Sequence, residues 1–73
     1  MQFYTWMRKN YKGEDSDRGD LFEDMESDKA FPRNPRPGKY DGWYRIIRSH
    51  LVARHACKEA ISVFNECWRD YVR

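Results

Sequence analysis

The C-terminal end of the chain carries the clearest pattern of apolar and polar positions. When the residues from Ala56 onwards are placed about 100° apart, as in an α-helix, the apolar side chains occupy one half of the circle and the polar side chains the other. The apolar half contains Ala56, Cys57, Ala60, Ile61, Val63, Phe64, Cys67, Trp68, Tyr71 and Val72. Because this half is wider than one neighbouring helix can cover, the pattern predicts a long amphipathic helix over Ala56–Tyr71 that packs against two or more others, with Phe64 near its buried centre.

Shorter apolar repeats upstream predict three further helices. They run from Phe3 to about Asn10, from Asp17 to Lys29 after an N-cap at Ser16 or Asp17, and from Gly42 to Val52 after an N-cap at Asp41. Three prolines between the second and third helices exclude a helix there and favour extended backbone. The elements together predict an all-α fold with one domain over residues 1–73, a compact bundle of four to five short helices that includes the long C-terminal one.

The apolar faces of these helices define a predicted core. A chain of 73 residues buries only about 60% of the surface that it exposes when unfolded, so its stability depends on large apolar side chains. Three Trp, five Tyr and four Phe residues supply them. The predicted core consists of Phe3, Trp6, Met7, Leu21, Phe22, Met25, Phe31, Tyr44, Ile47, Leu51, Ala60, Phe64, Cys67, Trp68 and Tyr71.

Charge is distributed unevenly, although the formal net charge is only +2. Residues 1–13 carry a net +3, residues 14–28 a net −7 and residues 29–73 a net +6. The acids of the second segment fall around the predicted second helix, where we expect a solvated acidic face. No apolar run approaches the ~20 residues that a membrane span requires, and the first ten residues lack the basic-then-apolar order of a secretion signal. We therefore expect a cytoplasmic protein with no membrane partner.

The cysteines and histidines do not have the spacing of a catalytic or metal site. Cys57 and Cys67 lie ten residues apart, about 15 Å along a helix, whereas a disulfide needs Cα atoms within about 7 Å. We expect both thiols to be free, buried and slow to react. Neither these thiols nor His50 and His55 form the paired spacing of a zinc site, and His55 and Cys57 point to different sides of a helix. The sequence therefore predicts no enzyme, metal, cofactor or small-molecule substrate.

Several segments resemble a known family, the YozE-like small bacterial proteins, which have a sterile-alpha-motif-like (SAM-like) helical fold. The similar segments are FYTWM at 3–7, DLFEDMESDKAFPR at 20–33, Tyr40, Tyr44, Ile47, Leu51, Ala60, Phe64, Trp68 and Tyr71. The resemblance implies a SAM-like bundle of about four short helices, with Phe31 and Pro32 against the core. It implies no activity, because the family has no assigned biochemical role, although SAM-like folds generally bind proteins, their own copies or, in some cases, nucleic acid.

The third helix departs from the family pattern, and this departure motivates the first functional hypothesis. Trp43 and Ile46 occupy positions where the resemblance leads one to expect polar residues, and they project 50–120° from the predicted core direction of this helix, by a count of about 100° per residue. We expect an exposed edge made by Trp43 and Ile46, with Arg45 and Arg48 beside it, that contacts a protein partner or a second copy. The alternative is that the proline-rich segment covers Trp43.

The second functional hypothesis is weak, sequence-tolerant binding of nucleic acid through the basic loop and the third helix. Clustered on one face, the basic side chains there would attract phosphate, whereas the acidic second helix would repel it. The sequence does not decide whether they share one face. The candidate residues are Arg33, Arg36, Lys39, Arg45, Arg48, Arg54 and Lys58.

Overall fold

The computed structural model of the chain describes residues 1–33 and 42–73. These residues form four α-helices and no strand: α1 (Phe3–Tyr11), α2 (Asp17–Ser27), α3 (Gly42–Ala53) and α4 (Lys58–Val72). The all-α prediction is confirmed, and the final helix is the longest, with 15 residues. Asp41, predicted to cap the third helix, lies outside the described residues.

The turn between α1 and α2 depends on two glycines and a serine. Gly13 has a φ of +80°, a left-handed conformation that favours glycine, and ends α1. Ser16 is the N-cap of α2, and its side-chain oxygen accepts a hydrogen bond from the Gly19 amide at 3.1 Å. A Cβ on Gly19 would lie 1.9 Å from the carbonyl oxygen of Glu14, so only glycine allows the turn to cross this close to α2. Of the two predicted N-caps, Ser16 is therefore the correct one.

The predicted end of α2 at Lys29 is two residues too late. Asp28 ends the helix with extended backbone angles, and its side chain accepts a hydrogen bond from the amide of Ala30 at 3.0 Å. The amide of Phe31 then donates to the carbonyl of Asp28, which turns the chain back towards the bundle. Phe31 is buried, as the family resemblance implied, and Pro32 beside it is partly buried.

The core is built around Phe64 of α4, as the apolar pattern predicted. Its side chain is fully buried, and its ring lies 5.7 Å from that of Phe3, 5.4 Å from Tyr44 and 6.1 Å from Trp68, between ring centroids. These contacts join α1, α3 and α4, and aromatic pairs at such separations add to the free energy gained from burial alone. α2 packs against both α1 and α4 and closes the bundle.

The buried set differs from the predicted core at a few positions. Trp6, Tyr44, Ala60 and Trp68 are only partly buried, and Tyr4, absent from the prediction, is buried. Tyr4 directs its ring towards α2, 5.3 Å from the ring of Phe22, whereas the neighbouring Phe3 faces α4. The fully or nearly fully buried apolar residues are Phe3, Tyr4, Met7, Leu21, Phe22, Met25, Phe31, Ile47, Leu51, Phe64, Cys67 and Tyr71.

A tight turn joins α3 to α4 and shifts the start of α4. His55 has a φ of +64°, the left-handed region, and the amide of Ala56 donates to the carbonyl of Leu51 at 3.0 Å. Cys57 follows as the N-cap residue with extended backbone angles, so α4 begins at Lys58 and not at Ala56. The expectation of two buried thiols is therefore wrong for Cys57, which is exposed, and right for Cys67, which is fully buried.

Candidate interaction surfaces

The third helix is held to the rest of the bundle by few side chains. Of the four helices in the described residues, only α4 packs closely against α3. Ile47 and Leu51 are the buried side chains of α3, and Tyr44 is half-buried with its ring stacked on Phe64. The Tyr44 hydroxyl also donates a hydrogen bond to Asn65 Oδ1 at 2.5 Å. One side of α3 is thus fixed to α4, and the opposite side is open to solvent.

The open side of α3 combines basic and aliphatic groups, and we call Arg45, Ile46, Arg48 and Val52 the α3 face. All four side chains are exposed, with 40% of Ile46 and 52% of Val52 accessible to solvent. The helix contains no acidic residue. Within residues 1–33 and 42–73, no ion pair or hydrogen bond engages the side chain of Arg45 or Arg48. The α3 face therefore combines apolar groups with positive charge, and the described chain does not neutralise that charge.

Trp43 does not share this exposure. Its side chain is half-buried and makes a contact of its own, so the expected exposed pair of Trp43 and Ile46 reduces to Ile46. The alternative was that the proline-rich segment covers Trp43. Residues 34–41 of that segment lie outside the described part of the chain.

Of the remaining basic candidates for nucleic-acid binding, the three that the structure describes lie elsewhere in the bundle and not on the α3 face. The Arg33 guanidinium lies over the ring of Tyr4, 4.2 Å from its centroid, and therefore belongs to the side of the bundle formed by α1. Arg54 lies at the end of α3 and pairs with Asp28. Lys58 is exposed at the start of α4. The last two candidates, Arg36 and Lys39, fall in the range that the structure does not describe.

An ion pair between α2 and α3 involves Asp28, which the sequence had suggested to be a solvated acid. His50 Nε2 lies 2.6 Å from Asp28 Oδ2, and Arg54 Nη2 lies 3.5 Å from Asp28 Oδ1. The hydrogen bond with His50, followed by the one from the Ala30 amide and the charge of Arg54, lowers the pKa of Asp28 below its usual range. The contact holds the end of α2 beside α3. A weak signal was present in the sequence, because an acid at the C-terminal end of a helix opposes the helix dipole and needs another partner.

A second internal ion pair uses Arg18, the one basic residue of α2. Its guanidinium donates hydrogen bonds to Asp70 Oδ2 and to the Tyr11 hydroxyl, both at 2.8 Å, and lies 3.5 Å from Glu66 Oε1. Hydrogen bonding to Asp70 and Tyr11 raises the pKa of Arg18, and the Arg18 guanidinium in turn lowers the pKa of Asp70. Arg18 therefore neutralises carboxylates of α4. The carboxylates on the outer side of α2 have no other basic residue in their own helix to pair with.

Three acids of α2 and one of α4 line a groove between α2 and the first turns of α4, which we call the α2–α4 groove. Its volume is about 320 Å³. Leu21, Ala60 and Val63 supply apolar side chains to its lining. Four acids also line it, and none of them has an ion-pair partner in the described residues: Asp17, Asp20, Asp24 and Glu59. Cys57, at the N-cap of α4, completes the lining. The groove is thus an acidic counterpart to the basic α3 face.

In the ranges 1–33 and 42–73, no group of three or more His, Cys, Asp or Glu side chains is placed to hold a metal ion. Over the same ranges, none of the helices combines the length and the apolar character needed to span a membrane.

Comparison with known proteins identifies the family of the chain. No curated protein and no solved structure matches the sequence. The sequence model of one family, described as the YozE SAM-like fold, matches residues 2–73, which confirms the resemblance of the apolar and aromatic segments. Because this match covers the whole chain apart from its first residue, the protein belongs to the YozE SAM-like fold family.

Proposed function

We propose that this protein is a non-enzymatic, cytoplasmic protein-binding module and that the α3 face is its contact surface. The observation that carries the proposal is the outward side of α3, where two exposed aliphatic side chains lie beside two arginines whose charge the described chain does not neutralise. The buried side chains of this helix, Ile47 and Leu51, lie on its other side. The α3 face is therefore available for a function other than stability.

The composition of the α3 face suits protein binding. Arginine is enriched at protein interfaces because its long side chain covers apolar surface while its guanidinium forms several hydrogen bonds. Ile46 and Val52 supply apolar area that would leave water on contact, at roughly 25 cal/mol for each Å². Binding through this face would also require little rearrangement, because the helix that carries it is already packed on α4.

The test compares two substitutions at exposed apolar positions. Ile46→Asp places a negative charge on the α3 face, and Val72→Asp makes the same change near the end of α4, where 46% of the side chain is exposed, against 40% for Ile46. The immobilised wild type and both variants are used for capture from a lysate of the source cell, with and without nuclease. Chemical denaturation of each variant checks that the fold is kept, as the exposure of both positions leads us to expect.

We expect the wild type and Val72→Asp to capture the same protein, and Ile46→Asp to lose it while remaining folded. Equal capture by Ile46→Asp would show that the α3 face is not the contact surface. Capture that disappears on nuclease treatment would replace this proposal with the alternative of nucleic-acid binding. That alternative predicts steep salt dependence and loss of binding in the double variant Arg45→Ala with Arg48→Ala.

A further inference from the structure

The α3 face and the α2–α4 groove are complementary in charge and similar in their mixture of groups. The α3 face presents two arginines beside two aliphatic side chains and contains no acid. The groove presents four carboxylates beside three apolar side chains. In both surfaces, the charged groups have no ion-pair partner within the described residues. Two such surfaces on one molecule attract each other between copies.

We propose that the α3 face of one copy docks into the α2–α4 groove of a second copy. This inference rests on the proposed function, because it names the partner of the same α3 face. In the complex, Arg45 and Arg48 approach the acids of α2, and Ile46 and Val52 cover the apolar part of the groove. Within residues 1–33 and 42–73, neither arginine forms an ion pair, so docking does not first have to break one between these residues.

The geometry of the contact determines how the assembly grows. The α3 face and the groove share no residue, so one copy can use both at the same time. A contact between two different surfaces is heterologous, and it extends into a chain of copies unless the rotation closes a ring. We therefore expect the average mass to rise continuously with protein concentration. The exposed charges also make the association sensitive to salt, because the Debye length falls from ~10 Å at 0.1 M to ~3 Å at 1 M.

Two charge-reversal variants and their mixture test the proposed pairing. The face variant, Arg45→Glu with Arg48→Glu, keeps an intact groove, and the groove variant, Asp20→Lys with Asp24→Lys, keeps an intact α3 face. Each variant alone should be monomeric by sedimentation up to ~1 mM protein, because its α3 face and its groove no longer have opposite charges. An equimolar mixture should associate again, because the intact α3 face of the groove variant fits the intact groove of the face variant and the two reversed surfaces carry opposite charges at the substituted positions.

A matched control separates the α3 face from a general effect of charge. Arg8→Glu with Lys9→Glu reverses two exposed charges at the end of α1 and changes the net charge by the same amount as the face variant. This control should associate like the wild type. Labelling of the wild-type thiol at Cys57 adds a measurement that needs no substitution: because Cys57 lines the groove, its labelling should slow as the protein concentration rises.

Each other outcome would overturn the inference. A wild type that remains monomeric at low salt, a groove variant that associates normally, or a mixture of the two variants that does not associate would show that a second copy does not occupy the groove. If the wild type is monomeric but Ile46→Asp still loses a captured protein, the inference fails and the proposed function remains. If Ile46→Asp changes neither capture nor self-association, both fail together.

Discussion

The helices α3 and α4 are both amphipathic, yet the chain uses them differently. α4 contacts all three other helices, and its polar side is also engaged, since Asn65 accepts a hydrogen bond from Tyr44 and Asp70 pairs with Arg18. α3 contacts α4 on one side only, and its arginines on the other side are unpaired within the described residues. Asn65 and Asp70 of α4 therefore contribute to the fold, whereas the polar groups of the α3 face are available to contact another molecule.

The largest expected difference between the two helices lies in their contribution to stability. Phe64→Ala removes the central ring of the core and should lower the free energy of unfolding by ~3–5 kcal/mol, much of what a small domain has. Ile46→Ala, on the α3 face, should change it by less than about 0.5 kcal/mol. Urea denaturation of both variants checks this. A midpoint for Phe64→Ala close to that of the wild type would mean that α4 is not the centre of the fold.

The reactivities of the two thiols show where the buried part of α4 begins. In the native protein, Cys57 should react quickly, because it is exposed at the N-cap. Cys67 should react only on unfolding, since burial excludes reagent and raises the pKa of its thiol to about 11. Thiol titration at low protein concentration, with and without denaturant, measures both. Fast native reaction of two thiols would mean that the middle of α4 is not packed as described.

Acid should weaken the contacts that α2 makes with α3 and α4. The pKa values of Asp28, beside His50, and of Asp70, beside Arg18, are lowered in the folded state. A carboxylate whose pKa is lowered by folding stabilises the protein at pH values above its pKa in the unfolded state, about 3.9. This stabilisation is lost as the pH falls through the pKa in the folded state. Unfolding measured from neutral pH downwards should show the free energy of unfolding falling below about pH 4.

Substitutions identify the carboxylates responsible. In the double variant Asp28→Asn with Asp70→Asn, the free energy of unfolding should depend less on pH in this acid range. Asp20→Asn, which removes a carboxylate with no ion-pair partner in residues 1–33 and 42–73, should follow the wild type. A double variant with unchanged acid sensitivity would place its origin in other groups.

The smallest effect concerns the turn that joins the two helices. His55 adopts a left-handed conformation that costs a non-glycine residue roughly 1–2 kcal/mol, so His55→Gly should stabilise the protein by up to about 1 kcal/mol. Gly13→Ala supplies the opposite change at a left-handed position with open space around it, and it should destabilise by about 1 kcal/mol. Thermal denaturation measures both. A destabilising His55→Gly would mean that the imidazole makes a contact that outweighs the backbone strain.

The sequence predicted those features that depend on local periodicity. The four helices and the central place of Phe64 follow from the 3.6-residue repeat of apolar side chains, which the structure confirms. The burial of Tyr4 was not predicted, because Tyr4 is adjacent to Phe3 and faces a different helix. The apolar repeat within α1 does not indicate this second buried side. Cys57 was expected to be buried because its position fits the apolar stripe, but the turn at His55 delays the start of α4.

The candidate surfaces were predictable only in part, because they depend on tertiary contacts. The positions of Arg45, Ile46 and Arg48 beside the core side of α3 follow from helical spacing. Helical spacing does not show which charges remain unpaired, because Asp28 contacts His50 from 22 residues away and Arg18 contacts Asp70 from 52 residues away. The α2–α4 groove is formed by two helices that are distant in sequence, and no local pattern indicates that their acids line one concave surface.

We propose that α3, unlike α1, supplies a contact surface for another copy of the chain. Amide chemical shifts recorded over a range of protein concentrations test it directly, because they report which residues change environment on association. We expect concentration-dependent shifts confined to the outward side of α3 and to the residues that line the α2–α4 groove, with α1 unchanged. Shifts centred on α1, or a spectrum that does not change with concentration, would contradict it.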